Sequence, residues 1–120
     1  MNISNEDRTL AMLAHVLSLL GYVTVVGGWL PPLLIYFMKR DSQFVAFHAL
    51  QAVYFTLLVV VATLAVAFIG LMTCGLGFVF APVVPLVHII LGILTAIKAN
   101  SGELAEYPLA GGWARNSVGL

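Results

Sequence analysis

Two long stretches of the chain, Thr9–Met38 and Ala52–Ile97, contain no Lys, Arg, Asp or Glu, and every charge lies in the short intervals around them. A charged side chain at the centre of a bilayer costs about 2.5–3.5 kcal/mol on insertion scales, and this distribution avoids that cost throughout. The pattern predicts an integral membrane protein built of helices. The second block is more than twice the roughly 20 residues that span hydrocarbon. It is interrupted by Thr73-Cys74-Gly75-Leu76-Gly77 and so reads as a helical hairpin. Pro82 and Pro85 belong in or just before the first turn of its second arm, where a missing backbone donor is tolerated, and Gly102 marks that arm's end.

The first block is too long for one ordinary span and too short for two, and Gly27-Gly28 followed by Pro31-Pro32 breaks it internally. Charge selects between the options. If the block folds back at Gly21–Gly28, then Arg8, Lys39, Arg40, Lys98 and Arg115 all share the cytoplasmic face, and the turns left outside are uncharged. The expected fold is an all-α membrane protein: a bundle of four transmembrane or partly spanning helices arranged as two hairpins, with N and C termini cytoplasmic. The helices are expected at about 5–22, 30–39, 42–72 and 80–100, followed by a polar C-terminal tail at 101–120, in a single membrane domain covering 1–120. The arm after Pro31 is short enough to reach only part way across. Ser4–Asp7 reads as a helix cap and no cleavable signal peptide is apparent, while Asp41 or Ser42 can cap the next helix.

Composition narrows the function classes. With 62% hydrophobic and 8% charged residues, the chain could not cover the surface of a soluble fold, and its formal net charge of zero suggests no nucleic-acid partner. Cys74 stands alone and reads as a small apolar filler. Asn2-Ile3-Ser4 matches a glycosylation acceptor, a pattern too short to weigh at a terminus. No nucleophile with a base at recognisable spacing, no paired carboxylates within the apolar blocks and no phosphate loop occur, so no catalytic residue, cofactor or enzymatic activity is expected.

The polar residues that remain define the candidate sites. Phe44, Phe47, His48, Gln51, Tyr54 and Phe55 recur at spacings of three and four, which predicts one aromatic and polar helix face. That face suits either a ring belt at headgroup level or a surface that contacts a partner. Within the apolar blocks, His15 shares a stripe with Ala11, Ser18 and Tyr22, and His88 shares another with Gly92 and Thr95; both stripes should face protein and meet inside the bundle. The plain reading of His88 is a neutral ring bonded to a hydroxyl; the sharper one is a proton-linked or pore-lining site formed with His15. The three histidines lie in three segments without ligand spacing, so no metal site is expected.

Several stretches together resemble a known family. These are Ala11-Met12-Leu13-Ala14-His15, Lys39-Arg40-Asp41, the run Ser42-Gln43-Phe44-Val45-Ala46-Phe47-His48-Ala49-Leu50-Gln51-Ala52, Ala96-Ile97-Lys98-Ala99, Gly102-Glu103 and Tyr107-Pro108. The set, covering residues 8 to about 109, resembles the Tic-twenty-like bacterial membrane proteins, a domain of unknown function related to a component of the chloroplast inner-envelope import machinery. The resemblance implies a four-helix membrane bundle and an association with protein transport. The ending Gly111-Gly112-Trp113-Ala114-Arg115-Asn116 departs from that pattern.

Two functional expectations follow. One is a non-enzymatic subunit, or an assembly or translocation-related component, of a larger membrane complex, docking through Phe44, Phe47, His48, Gln51, Lys98, Glu103 and Tyr107. The other is a homo-oligomeric channel or carrier for protons, ions or small solutes, with His15, Ser18, His88 and Thr95 near its path. Both place the chain in a bilayer, in the bacterial cytoplasmic membrane, with other membrane proteins or further copies of itself as partners.

Overall fold

The computed structural model describes residues 3–24 and 26–120, and among these it contains five α-helices and no strand. They are α1 (Asn5–Ser18), α2 (Leu30–Met38), α3 (Gln43–Met72), α4 (Val83–Asn100) and α5 (Ala110–Ser117). Asn2 of the acceptor pattern and Val25 of the expected first turn lie outside the described residues.

Local chemistry explains the starts. Ser4 and Asp7 form a reciprocal capping box on α1, with Asp7 N donating to Ser4 Oγ at 3.1 Å. Ser42 Oγ accepts from Val45 N at 3.3 Å and so caps α3. Pro31 and Pro32 fall in the first turn of α2, and Pro82 is the N-cap of α4. The α3–α4 connection closes on Gly75, whose φ of 95° is the left-handed conformation that glycine adopts freely, and Gly75 N donates to Gly70 O at 2.7 Å. α3 and the segment Leu76–Asn100 are long and apolar enough to cross a membrane, with mean hydropathies of 2.6 and 2.3. α2, at 9 residues, is not.

The molecule measures 53 × 25 × 22 Å, and its packing is uneven along that length. The first half of α3 is enclosed: Phe44, Val45, Ala49 and Ala52 pack with Ala11 and Ala14 of α1, Ile35 of α2 and Ala99 of α4. Beyond Thr56 the same helix presents Leu57, Val61, Leu64, Phe68 and Leu71 outward, and α4 presents Leu86, Ile90, Ile93 and Ile97. An apolar face of that extent is the surface a hydrocarbon solvent calls for. The α1–α2 pair reaches only the level of Thr56, where Gly21 and Gly28 bring their backbones into contact. A Cβ on Gly28 would lie 3.0 Å from Gly21 Cα and 3.2 Å from Thr56 Cγ2. Thr56 Oγ1 shares its one hydroxyl proton between Ala52 O of its own helix at 2.9 Å and Gly28 O of this irregular turn at 3.1 Å.

Two expectations need correction. The 101–120 region is not simply a tail, because it ends in α5, which packs Ala114 against Phe47 and Leu50 of α3. Two glycines in its first turn hide this helix from a propensity reading. The first arm does not stay α-helical to residue 22: α1 ends at Ser18 and tightens into a 3₁₀ turn over Leu19–Tyr22.

The adjacent glycines of α5 should respond with opposite signs to alanine. Gly112 has open space around its Cα, so Gly112→Ala is expected to stabilise by about 0.5–1 kcal/mol through reduced backbone entropy. At Gly111 a Cβ would meet Glu106 Cβ at 2.5 Å and Gln51 Oε1 at 2.8 Å, so Gly111→Ala should lower the unfolding temperature in detergent.

Candidate functional site

Polar side chains from α1, the start of α3, α4 and the non-helical segment Glu103–Leu109 converge inside the enclosed end of the molecule. His15, His48 and Gln51 are fully buried, and Tyr107 is 3% and Thr95 5% exposed. His15 Nδ1 lies 2.8 Å from the Tyr107 hydroxyl, and His15 Nε2 lies 2.9 Å from His48 Nδ1. His48 Nε2 lies 2.9 Å from the Glu103 carbonyl oxygen. Gln51 reaches the same segment twice, accepting from Tyr107 N at 2.7 Å and donating to Ala105 O at 3.0 Å.

Hydrogen-bond complementarity gives this chain one polarity. A carbonyl only accepts, so His48 carries a proton on Nε2 and, as a neutral ring, offers a bare Nδ1. His15 then donates through Nε2, and its own Nδ1 accepts from the Tyr107 hydroxyl. The protons run Tyr107 to His15 to His48 to the Glu103 carbonyl, with both imidazoles as neutral Nε2–H tautomers. Aromatic packing holds the geometry. Phe55 stacks on Tyr107 with centroids 4.0 Å apart at 8°, and Phe44 and Phe47 meet the His48 ring edge-on at 4.7 and 5.0 Å. Burial pushes the Tyr107 phenol well above its usual range, and the neighbouring Thr95 hydroxyl pulls it part of the way back.

His88 forms a separate site. Its Nδ1 lies 2.8 Å from the Tyr22 hydroxyl, and its Nε2 is buried with no partner among the described residues. His88 lines two apolar grooves beside α3, of about 350 and 250 Å³. His15 and His88 therefore lie in different clusters; the nearest link between them is Phe55, whose ring touches both Tyr107 and His88. Ser18 is buried and returns its hydroxyl to His15 O at 2.7 Å.

The aromatic face of α3 is not a belt or an open docking surface. Phe44, Phe47, His48 and Gln51 are interior, because the 103–107 segment and α5 fold over them, and Tyr107 is interior with them. Of the residues expected to meet a partner, Lys98 and Glu103 remain exposed. Lys39 pairs with Glu6 and Asp7 at 3.7 Å each, and Glu106 accepts from Arg115 Nε at 2.6 Å. The missed contributors are Tyr22 as the partner of His88, Thr56 as the partner of Gly28, and the backbone of residues 103–107. The reading of His88 as a ring bonded to a hydroxyl pointed to the first without naming it, since Tyr22 lies on the His15 stripe; nothing local signals the others.

The model of the MamF/MmsF family, described as the magnetosome magnetite crystal formation protein family, matches residues 6–114. The chain belongs to this family. It is also 30% identical over 99 residues to a UPF0132 membrane protein of Archaeoglobus fulgidus, covering 82% of this chain and 92% of that relative. No solved structure matches. The match to the MamF/MmsF model overturns the Tic-twenty-like resemblance and the protein-transport association that came with it. One of the stretches that suggested it, Ser42 to Ala52, carries the His48 and Gln51 that hold the 103–107 segment in place. In this MamF/MmsF protein, the polar network joins four segments into one interior and satisfies backbone groups that no helix pairs.

Two outcomes test the network. Gln51→Leu leaves Tyr107 N–H and Ala105 C=O unpaired, at about 1–3 kcal/mol for each buried group, and hydrogen exchange over 103–109 should accelerate while the α3–α4 hairpin stays protected. The raised Tyr107 phenol predicts the alkaline behaviour. Below a pH of about 10 the tyrosine is protonated whether folded or not; as pH rises further the unfolded chain ionises first, and stability falls toward the native value. Thermal unfolding followed from pH 8 upward should show that loss in wild type and a weaker one in Tyr107→Phe.

Proposed function

We propose that the protein is a non-enzymatic subunit of a larger assembly in the bacterial cytoplasmic membrane, with α3 and α4 crossing and the α1–α2 pair entering part way from the same side. In this reading there are two hairpins and both termini are cytoplasmic. Charge supports that orientation. Lys39 meets Glu6 and Asp7, Arg115 meets Glu106, and Arg8 lies against Gly102, so the cations gather at one end. The opposite turn, Thr73–Gly77, carries none.

The observation that carries the subunit reading is where the polar side chains point. His15, His48, Gln51 and Tyr107 direct their hydrogen bonds to one another and to the chain's own backbone, which builds a rigid interior rather than a lined path. The outer face of α5, with Trp113 and the adjoining Leu109 exposed, is the surface left for other membrane proteins. The family description, magnetosome magnetite crystal formation, supplies the setting in which such a subunit would act.

A second reading, a homo-oligomeric channel or carrier for protons, ions or small solutes, is favoured by one observation, the unpartnered Nε2 of His88 between two grooves. Extraction of the tagged chain from its native membrane in mild detergent separates the two. A mixed particle with a recurrent second membrane protein is expected, and Trp113→Ala should lose most of that protein while inserting normally. A particle of this chain alone, giving proton flux in liposomes that His88→Phe abolishes, would overturn the subunit reading.

A further inference from the structure

An open groove of about 440 Å³ runs between α4 and the 103–106 segment that the network above holds in place. Its walls change character along its length. Leu91, Leu94 and Thr95 line it towards the middle of α4, and Lys98, Glu103 and Glu106 line it at the charged end. On a helix rising about 1.5 Å per residue, Leu94 and Leu91 lie roughly 6 and 10 Å below Lys98. α4 belongs to a segment apolar enough to cross the membrane, so the charged end falls where the hydrocarbon gives way to headgroups.

The charges at that end are unbalanced in a specific way. Glu106 is held by Arg115 at 2.6 Å. Lys98 and Glu103 are exposed, and neither forms an ion pair among the described residues, with each other or with any other group. Glu103 is nevertheless fixed in position, because its backbone N–H donates to Lys98 O at 3.0 Å and its carbonyl accepts from His48. One free cation, on α4, and one free carboxylate, on the 103–106 segment, thus line a groove that Leu91 and Leu94 also line.

We propose that this groove seats a phospholipid whose headgroup joins a phosphate to a primary ammonium, the ethanolamine class. Lys98 meets the phosphate, Glu103 accepts from the ammonium, and an acyl chain lies along Leu91 and Leu94. The class follows from hydrogen-bonding capacity. A primary ammonium donates three bonds, whereas the trimethylated ammonium of choline lipids donates none. A glycerol headgroup offers Lys98 its phosphate but brings no cation to Glu103. Leu91 and Leu94, on a segment apolar enough to cross the membrane, select a lipid over a soluble phosphoethanolamine. This inference depends on α4 being embedded in the membrane and not on the subunit reading.

Native mass spectrometry of the detergent-purified full chain, mixed with equimolar dioleoyl phosphatidylethanolamine, phosphatidylcholine and phosphatidylglycerol, tests it. The ethanolamine lipid should be retained several-fold more than the other two. Glu103→Gln should bring it down to parity with choline lipid, Lys98→Gln should weaken all three, and soluble phosphoethanolamine should displace none. Both substitutions are at exposed positions, and unchanged hydrogen exchange over 103–109 confirms that each variant folds. Equal retention of the three lipids by wild type, or a preference that survives Glu103→Gln, would overturn the proposal.

Discussion

The charged end of the molecule depends on a single constraint: the main chain of residues 103–107 is not helical, so that beyond the Glu103 N–H, which donates to Lys98 O, and the Tyr107 carbonyl, which accepts from Gly111 N, its backbone groups are paired by side chains. α3 supplies these one turn apart, His48 to Glu103 and Gln51 to Ala105 and Tyr107. In a low-dielectric interior, leaving such groups unpaired costs far more than a formed bond returns, so the arrangement works as an all-or-none lock. With the segment fixed, Tyr107 is placed against His15, α5 is laid over Phe47, and Glu103 is held at the charged end of the α4 groove. The histidines act first as structural donors and acceptors, and their polarity follows from the carbonyl at the chain's end.

The rest of the fold distributes apolar surface around that lock. The half of α3 that carries the polar residues is enclosed by protein, while the half beyond Thr56 is turned outward, as α4 is along most of its length. The α1–α2 pair stops where its turn can rest on Thr56, because a non-helical turn in an apolar setting needs both close backbone packing and a donor for its carbonyls. A short α2 is therefore consistent with the length of α3: it covers only the enclosed part of that helix, up to Thr56.

Much of the architecture was legible in the sequence because it is written locally. Charge-free blocks, prolines at helix starts, the Ser4 and Ser42 caps and the glycine-containing turn near Gly75 act within a few residues of themselves. The site was legible only in its members. Spacings of three and four marked one face of α3 but could not say what covers it, and the covering segment is more than fifty residues away in sequence. His15 finds its partners 33 and 92 positions along the chain, distances over which no periodicity carries information. α5 escaped because Gly111 and Gly112 suppress helix propensity for the sake of close approach to Gln51 and Glu106 at the first of them.

The central claim is that a proton-ordered chain from Tyr107 through His15 to His48 locks the 103–107 segment. The most direct test is the ¹⁵N side-chain spectrum of histidine-labelled protein in lipid bilayers at neutral pH, assigned with His15→Gln and His48→Gln. Two neutral rings, each protonated at Nε2 and bare at Nδ1, with a coupling between His15 Nε2 and His48 Nδ1 across their hydrogen bond, are the predicted result. A His48 ring protonated at Nδ1, or two rings exchanging freely with water, would contradict the account.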